Sequence, residues 1–323
     1  MKVRVLYFLA PRRIEIRNES LEEPGPGEVR VETELSAISA GTELLFYRGQ
    51  LSSGTPLDAN LPSLSGSASY PLAYGYAAVG RVVSPGDLLG RRVFAFETHR
   101  SGFVARAESL SVVPDSMDSE SAALLPTFET AVSLVQDARP LLGERVLVLG
   151  QGVVGLATTA LLSRFSLARL TTVDRWEARR RLSRELGAHR SLAPEDLDEN
   201  DFDLAIEVSG SPDALDLAIG AAGAEARVIV GSWYGEKRAE LGLGTHFHRG
   251  RIHVQSSQVS RIAPRLSARW TKDRRLRLAL DAIPTVPAGT LVSHRFPIER
   301  AEDAFRLLDE APESCLQVLL TYN

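Results

Sequence analysis

The stretch "VLVLGQGVVGLA" constrains this chain more than any other: a continuous apolar run that reads as a buried strand, then a glycine turn, then the start of a helix. Gly150, Gly152 and Gly155 stand in the spacing G-x-G-x-x-G, with Val153 and Val154 between the second and third glycines. The spacing alone is weak, because small residues at a strand-helix turn also serve packing. Its setting strengthens it. The first glycine permits a tight turn, the second lets a pyrophosphate approach the backbone, and the third lets helix and strand pack closely, with the phosphates over the helix N-terminus. The motif predicts a dinucleotide-binding unit.

The segments around it agree. "RLTTVD", "FDLAIEVSG" and "ARVIVGSW" read as further buried strands, separated by the helical stretches "RWEARRRLSRELGAH", ending at Gly187, and "SPDALDLAIGAA", with Ser211 as N-cap and Pro212 at the first helical position. Such alternation implies a parallel sheet covered by helices on both faces. The strand after the glycine turn ends at Asp174, where an acid takes the adenosine ribose hydroxyls, which favours NAD; a strand-end cap is the plainer role for the same residue. Arg175 and the run Arg179, Arg180, Arg181 offer a 2′-phosphate contact instead, so NADP is the minority expectation, weakened by the repulsion Asp174 would exert. Ser209, Gly231 and Ser232, at the ends of later strands, are candidates for the nicotinamide half, or simple loop residues.

The first third is of another kind. "EVRVETELSAIS" alternates Val29, Val31, Thr33 and Leu35 against Arg30, Glu32 and Glu34, the period of a half-buried strand, and "AAVGRVVS" and "RRVFAFE" follow, separated by a turn at Pro85 and Gly86. Residues 52–69, rich in Ser, Gly and Pro, are expected to form a long surface loop. "SESAALLPTFETAVSLVQDA" has helical period broken by Pro126, which predicts two helices or a kink. A long amphipathic helix is expected from Ala263 to Ile283, then a strand, a helix and a last strand "LQVLLTY".

Composition narrows the function classes. With 323 residues, 44% hydrophobic, the chain can bury a core in each of two domains. A formal charge of −4, with the arginines scattered among acids, gives no footprint for nucleic acid. No apolar run is long enough to span a bilayer, so no membrane partner is expected, and "MKVRVLYFLAPRR" reads as a first strand. The single cysteine, Cys315, excludes a disulfide framework or a cysteine-rich zinc site within one chain and suits a cytoplasmic location.

A β-rich segment with "AISAGTELLFYRG" and "PLAYGYAAVGRVV", a G-x-G-x-x-G unit and a C-terminal return together resemble the medium-chain dehydrogenase/reductase superfamily over essentially the whole chain. More narrowly, "SAISAGTE", "YGYAAVG", "FETAV", "SGSPDAL", "SWYG" and "SSQV" are similar to the branch containing the hydroxyethyl-bacteriochlorophyllide dehydrogenase and its relatives. The resemblance implies an α/β protein with a GroES-like β-rich catalytic domain, residues 1–120 and 259–323, and a doubly wound Rossmann cofactor domain, residues 121–258. It also implies a homodimer joined through the strand "RIHVQSS".

In the zinc members, a Cys-Gly-Thr-Asp motif, a Gly-His-Glu motif and a Cys or Glu before the cofactor domain ligate the catalytic metal. Those positions correspond here to Ala40, Tyr76, and Pro126 or Thr127. Alanine and proline cannot ligate, and tyrosine is a poor zinc ligand beside histidine or thiolate, so no metal is expected. His246, His248 and His253 in "THFHRGRIH" are the one metal alternative, with His246 and His248 expected on one side of a strand.

Without zinc, side-chain donors must stabilise the developing alkoxide. The resemblance makes Thr42 a contact to a substrate oxygen, with turn capping as its plainer role. Tyr76 either donates to the reacting centre or fills the vacated metal volume. His99 is a proton-exchange candidate, or a surface-loop histidine; Glu43 and Glu129 lie in segments the resemblance brings near the nicotinamide, Glu129 either orienting the cofactor or a base or facing solvent. The expected function is interconversion of a secondary alcohol and a ketone, acting on a small molecule. Reduction of an activated C=C bond with NADPH and a catalytically silent dinucleotide-binding protein are the alternatives.

Overall fold

The computed structural model describes residues 1–58, 64 and 66–322. Part of the loop expected at 52–69 therefore lies outside the described residues. The chain divides into two compact units, residues 1–126 with 287–323, and residues 127–286.

The first unit begins with β1 (Lys2–Ala10), β2 (Arg13–Ser20) and β3 (Glu28–Ile38), then the short helix α1 (Glu43–Arg48). It continues through β4 (Leu72–Ala73), β5 (Ala78–Val82), β6 (Arg92–Ala95), β7 (Gly102–Arg106), β8 (Ser111–Val112) and α2 (Ser119–Ala123). The predicted alternation in β3 is present: Val29, Val31, Thr33 and Leu35 are buried while Glu32 is exposed. The Pro126 break is present as well, α2 being followed at once by α3 (Leu125–Ala138), with the proline in the first turn, where its missing N–H costs nothing.

The middle of the chain supplies β9 (Arg145–Leu149), α4 (Val153–Leu162), β10 (Arg169–Val173), α5 (Glu177–Glu185), β11 (Arg190–Leu192), β12 (Phe202–Glu207), α6 (Pro212–Ala221), β13 (Ala222–Val230), α7 (His246–Gly250), β14 (His253–Ser256) and α8 (Lys272–Ala282). Its six strands are parallel, in the order β11-β10-β9-β12-β13-β14, the doubly wound arrangement in which order reverses beside β9. Both faces are covered. Leu147, Leu149 and Val228 pack in one apolar cluster with α6, and Val146, Val148 and Leu204 in another with the end of α3, which is why these strands read as unbroken apolar runs.

The chain returns to the first unit as α9 (Ala288–Leu291), β15 (Val292–Pro297), α10 (Ala301–Glu310) and β16 (Gln317–Thr321). β16 pairs antiparallel with β3 and parallel with β15, so the C-terminal return completes the sheet begun near the N-terminus. Phe8 and Phe305 meet edge to face at 5.2 Å in the core beneath α10; such pairs add about 0.5–1.5 kcal/mol to the burial itself.

Three expectations are corrected. The long helix over 263–283 is instead a single 3-10 turn (Pro264–Leu266) followed by α8, because the Thr271 hydroxyl accepts from Arg274 N and starts a new helix there. Residues 259–286 group with the middle unit, tied to α3 through Arg275 and Glu129, which moves the later boundary from 258/259 to 286/287. His246 and His248 lie on a helical turn, not a strand; Arg251, at φ 51°, ends that turn and releases the chain into β14.

Candidate active site

In the first unit, sequence-distant polar side chains meet behind α1. Glu43 reaches back one turn, its Oε1 accepting from Ser39 N at 2.8 Å, while its Oε2 accepts from His99 Nε2 at 2.8 Å. His99 Nδ1 lies 2.7 Å from Ser36 Oγ, which lies 2.8 Å from the Tyr322 hydroxyl. A carboxylate only accepts, so Nε2 donates to Glu43, and the contacts of Nδ1 with Ser36 and of Ser36 with Tyr322 continue the chain of hydrogen bonds. All four side chains are buried. The expectation of a surface-loop His99 is thereby overturned: the ring fills the core side of Gly75, where an added Cβ would stand 2.8 Å from His99 Cδ2 and where φ is +129°. Only glycine serves both demands.

In front of this buried chain stand three half-buried hydroxyls. Tyr76 donates to Ser39 Oγ and is hydrogen-bonded to Thr42. Burial pushes the Tyr76 phenol up from its ordinary pKa against the opposing pull of those two hydrogen bonds, and the Glu43 charge pushes the same way. The phenol therefore stays protonated and able to donate. Thr42 precedes α1, yet its side chain makes no capping bond. Ser39 is the member that sequence reasoning missed; it lies in the quoted "SAISAGTE", but only the fold brings it to Tyr76.

In the second unit, Gly150 adopts φ +93°, and an added Cβ would meet Ser209 Cα at 2.5 Å; at Gly155 it would meet Gly150 O at 1.9 Å. Gly152, the N-cap of α4, is open, its nearest neighbour Arg179 Nη1 at 3.8 Å. Tight first and third glycines with an open second one leave room for a pyrophosphate over the amides of Val153 and Val154, so the residues present fit a dinucleotide. Asp174 is buried at the end of β10, its Oδ2 accepting from Gln151 N at 2.7 Å and its Oδ1 from Trp176 N at 2.9 Å. Arg175 is exposed and lies over the Trp176 ring with Arg179. Arg180 is committed to the Asp174 and Arg175 carbonyls and to Glu177.

Ser209 and Ser232 stand together at the ends of β12 and β13: Ser209 donates to the buried Glu207, which also accepts from Tyr234, and Ser232 Oγ accepts from Gly210 N. Gly231 packs closely, since a Cβ there would lie 2.6 Å from Leu134 Cδ2 and 2.9 Å from Val208 Cγ1. Glu129 does not face solvent; it is buried against Arg275 at 2.9 Å.

For a catalytic zinc the donor set is poor. Ala40 and Pro126 offer no ligating side-chain atom, Thr127, the alternative to Pro126, offers only a neutral hydroxyl, and the Tyr76 phenol is held protonated and engaged with Ser39. His246 Nε2 is bound to Ala222 O, and among the described residues no three His, Cys, Asp or Glu side chains converge as a metal site. Nor, among the described residues, is any helix long and apolar enough to cross a membrane.

No family model matches the chain. It is 25% identical to the 2-desacetyl-2-hydroxyethyl bacteriochlorophyllide A dehydrogenase of Cereibacter sphaeroides, over 100% of this chain and 99% of that one. Its fold matches the crystal structure of RspB from Escherichia coli CFT073, described as a short chain alcohol dehydrogenase complexed with NADH, with a TM-score of 0.79 over 99% of both chains at 18% identity. The relatives and structural neighbours of this chain are medium-chain alcohol dehydrogenase-like proteins. Another such neighbour, a putative zinc-binding dehydrogenase from Sinorhizobium meliloti 1021 bound to NADP, matches with a TM-score of 0.78 over 99% of both chains at 19% identity. Medium-chain neighbours thus include both an NADH-bound and an NADP-bound protein.

Proposed function

We propose that the protein is a zinc-independent, NAD(H)-dependent oxidoreductase that interconverts a secondary alcohol and a ketone. The observation that carries this is the hydroxyl cluster of Ser39, Thr42 and Tyr76, in which Tyr76 occupies the position that the resemblance gives to the zinc members' second ligand. When bound, the nicotinamide supplies or accepts hydride at the substrate carbon. The chain's own residues then have to hold the oxygen on that carbon and exchange its proton.

Tyr76 and Thr42 are the groups we assign to that oxygen. A protonated phenol donates to a carbonyl oxygen, and its hydrogen bond strengthens as negative charge develops there, which lowers the barrier to hydride transfer. Ser39, already bonded to the phenol, relays protons by concerted exchange: it receives one from Tyr76 while passing its own hydroxyl proton on to water, or the reverse in ketone reduction. Glu43 and His99 hold this arrangement from behind, Glu43 through the Ser39 amide. They position the cluster and do not themselves touch substrate.

Gly150, Gly152, Val153, Val154 and Gly155 are assigned to the pyrophosphate, Asp174 and Arg175 to the adenosine end, and Ser209, Gly231 and Ser232 to the nicotinamide half. The acid after β10 supports NAD. One observation favours NADP instead: the Arg179 guanidinium lies 4.0 Å from Asp174 Oδ2, at the adenosine end where a 2′-phosphate would be bound. Glu129 is assigned a structural role, since its partner is Arg275. A homodimer through β14 is also proposed, supported by that strand's place at the end of its sheet.

The test is a screen of secondary alcohols with NAD and of ketones with NADH, using metal-stripped protein. Turnover that survives stripping and falls in Tyr76→Phe and Thr42→Ala supports the proposal. Unchanged turnover in both variants removes it.

A further inference from the structure

The largest fully buried side chain of the described residues is an arginine, Arg275, and nothing in the proposed chemistry uses it. Its five N–H donors meet four acceptors, one of them shared by two donors. Nε and Nη2 donate to Glu129 Oε1 at 3.1 and 2.9 Å, and Nη1 donates to Arg261 O at 3.0 Å and to Ser133 Oγ at 3.4 Å. The last donor, on Nη2, goes to Val259 O. A buried guanidinium survives only when its donors are satisfied, so the two carbonyls are as much a part of this site as the carboxylate.

Those carbonyls belong to the turn that leaves β14. Asp137, two turns beyond Glu129 on α3, holds the rest of it: its Oδ2 accepts from Ser257 Oγ at 2.7 Å, and Arg265 Nη2 donates to the Asp137 backbone oxygen at 3.2 Å. Residues 257–265 are therefore clamped onto one side of α3 by two acids in i, i+8 relation. An aliphatic core would stabilise the unit at least as well as a buried ion pair, so the pair's distinctive effect is on where the turn sits.

The turn lies beyond the carboxyl end of a parallel strand, where ligands of such sheets bind. The glycine turn follows β9 and Asp174 follows β10, which leaves the ends of β12, β13 and β14 for the other half of a dinucleotide. The geometry points to Glu129 and Arg275 as positioning residues that set the 257–261 turn against the nicotinamide ring. This rests on the dinucleotide assignment made above and adds a wall to it.

The two can be told apart by titrating the full-length protein with NADH and with ADP-ribose, which lacks the nicotinamide. Glu129→Gln and Arg275→Lys are expected to weaken NADH by about tenfold, roughly 1.4 kcal/mol, and leave ADP-ribose unchanged. Should either variant fail to fold, Ser257→Ala loosens the other end of the same turn and is expected to show the same selective loss. Equal losses for both ligands, or none for either in folded variants, overturn the inference while leaving the dinucleotide assignment intact. Wild-type protein that binds neither ligand overturns both.

Discussion

Glu43 Oε2 accepts from His99 Nε2 at 2.8 Å, with both side chains wholly removed from solvent. Deleting the imidazole leaves a buried carboxylate with one oxygen unpaired, so His99→Ala is expected to cost about 3–5 kcal/mol of stability. Urea denaturation checks this; a loss under about 1 kcal/mol, the scale of an exposed pair, would mean that the two groups are not buried together.

Tyr76→Phe removes one hydroxyl and little volume. If that hydroxyl donates to the developing alkoxide, kcat falls by about 10²–10³-fold with NADH affinity unchanged. Steady-state kinetics beside a cofactor titration separates this from a filler role, in which kcat would hold.

Gly155→Ala places a Cβ 1.9 Å from Gly150 O, a backbone atom that cannot swing aside. The turn and α4 must separate, so NADH binding is expected to vanish in fluorescence titration. Gly152→Ala has room, with nothing nearer than 3.8 Å, so its effect falls on ligand affinity and not on thermal stability.

Burial is the first cause raising the Tyr74, Tyr76, Tyr234 and Tyr322 phenols above their ordinary value. The folded chain thus holds protons that the unfolded chain releases. This contribution to stability is complete below the free tyrosine pKa of about 10 and is lost as pH rises through the higher folded values. The urea midpoint should decline above about pH 10; a rise there would contradict the assignment of neutral, buried phenols.

Much of the second unit is legible because its signals are local. Gly150, Gly152 and Gly155 lie within six residues, each strand is a short apolar run, and each helix is bounded by its own turn. The hydroxyl cluster and the chain behind it are not local. Ser36 and His99 are 63 residues apart, and Ser36 and Tyr322 are 286 apart, the second pair meeting only because β16 pairs with β3. Glu129 was unreadable for the same reason: on a helix alone it is a charge of unknown partner, and Arg275 lies 146 residues on. The false long helix had a readable stop in Thr271, outweighed by the apolar period around it.

The central claim is that hydroxyls do the work of a metal. The measurement that tests it most directly is elemental analysis of untreated protein, paired with NADH-dependent turnover of a ketone before and after metal stripping. The account predicts no stoichiometric zinc and unchanged turnover. One zinc per chain, with turnover lost on its removal and restored on its return, would contradict it.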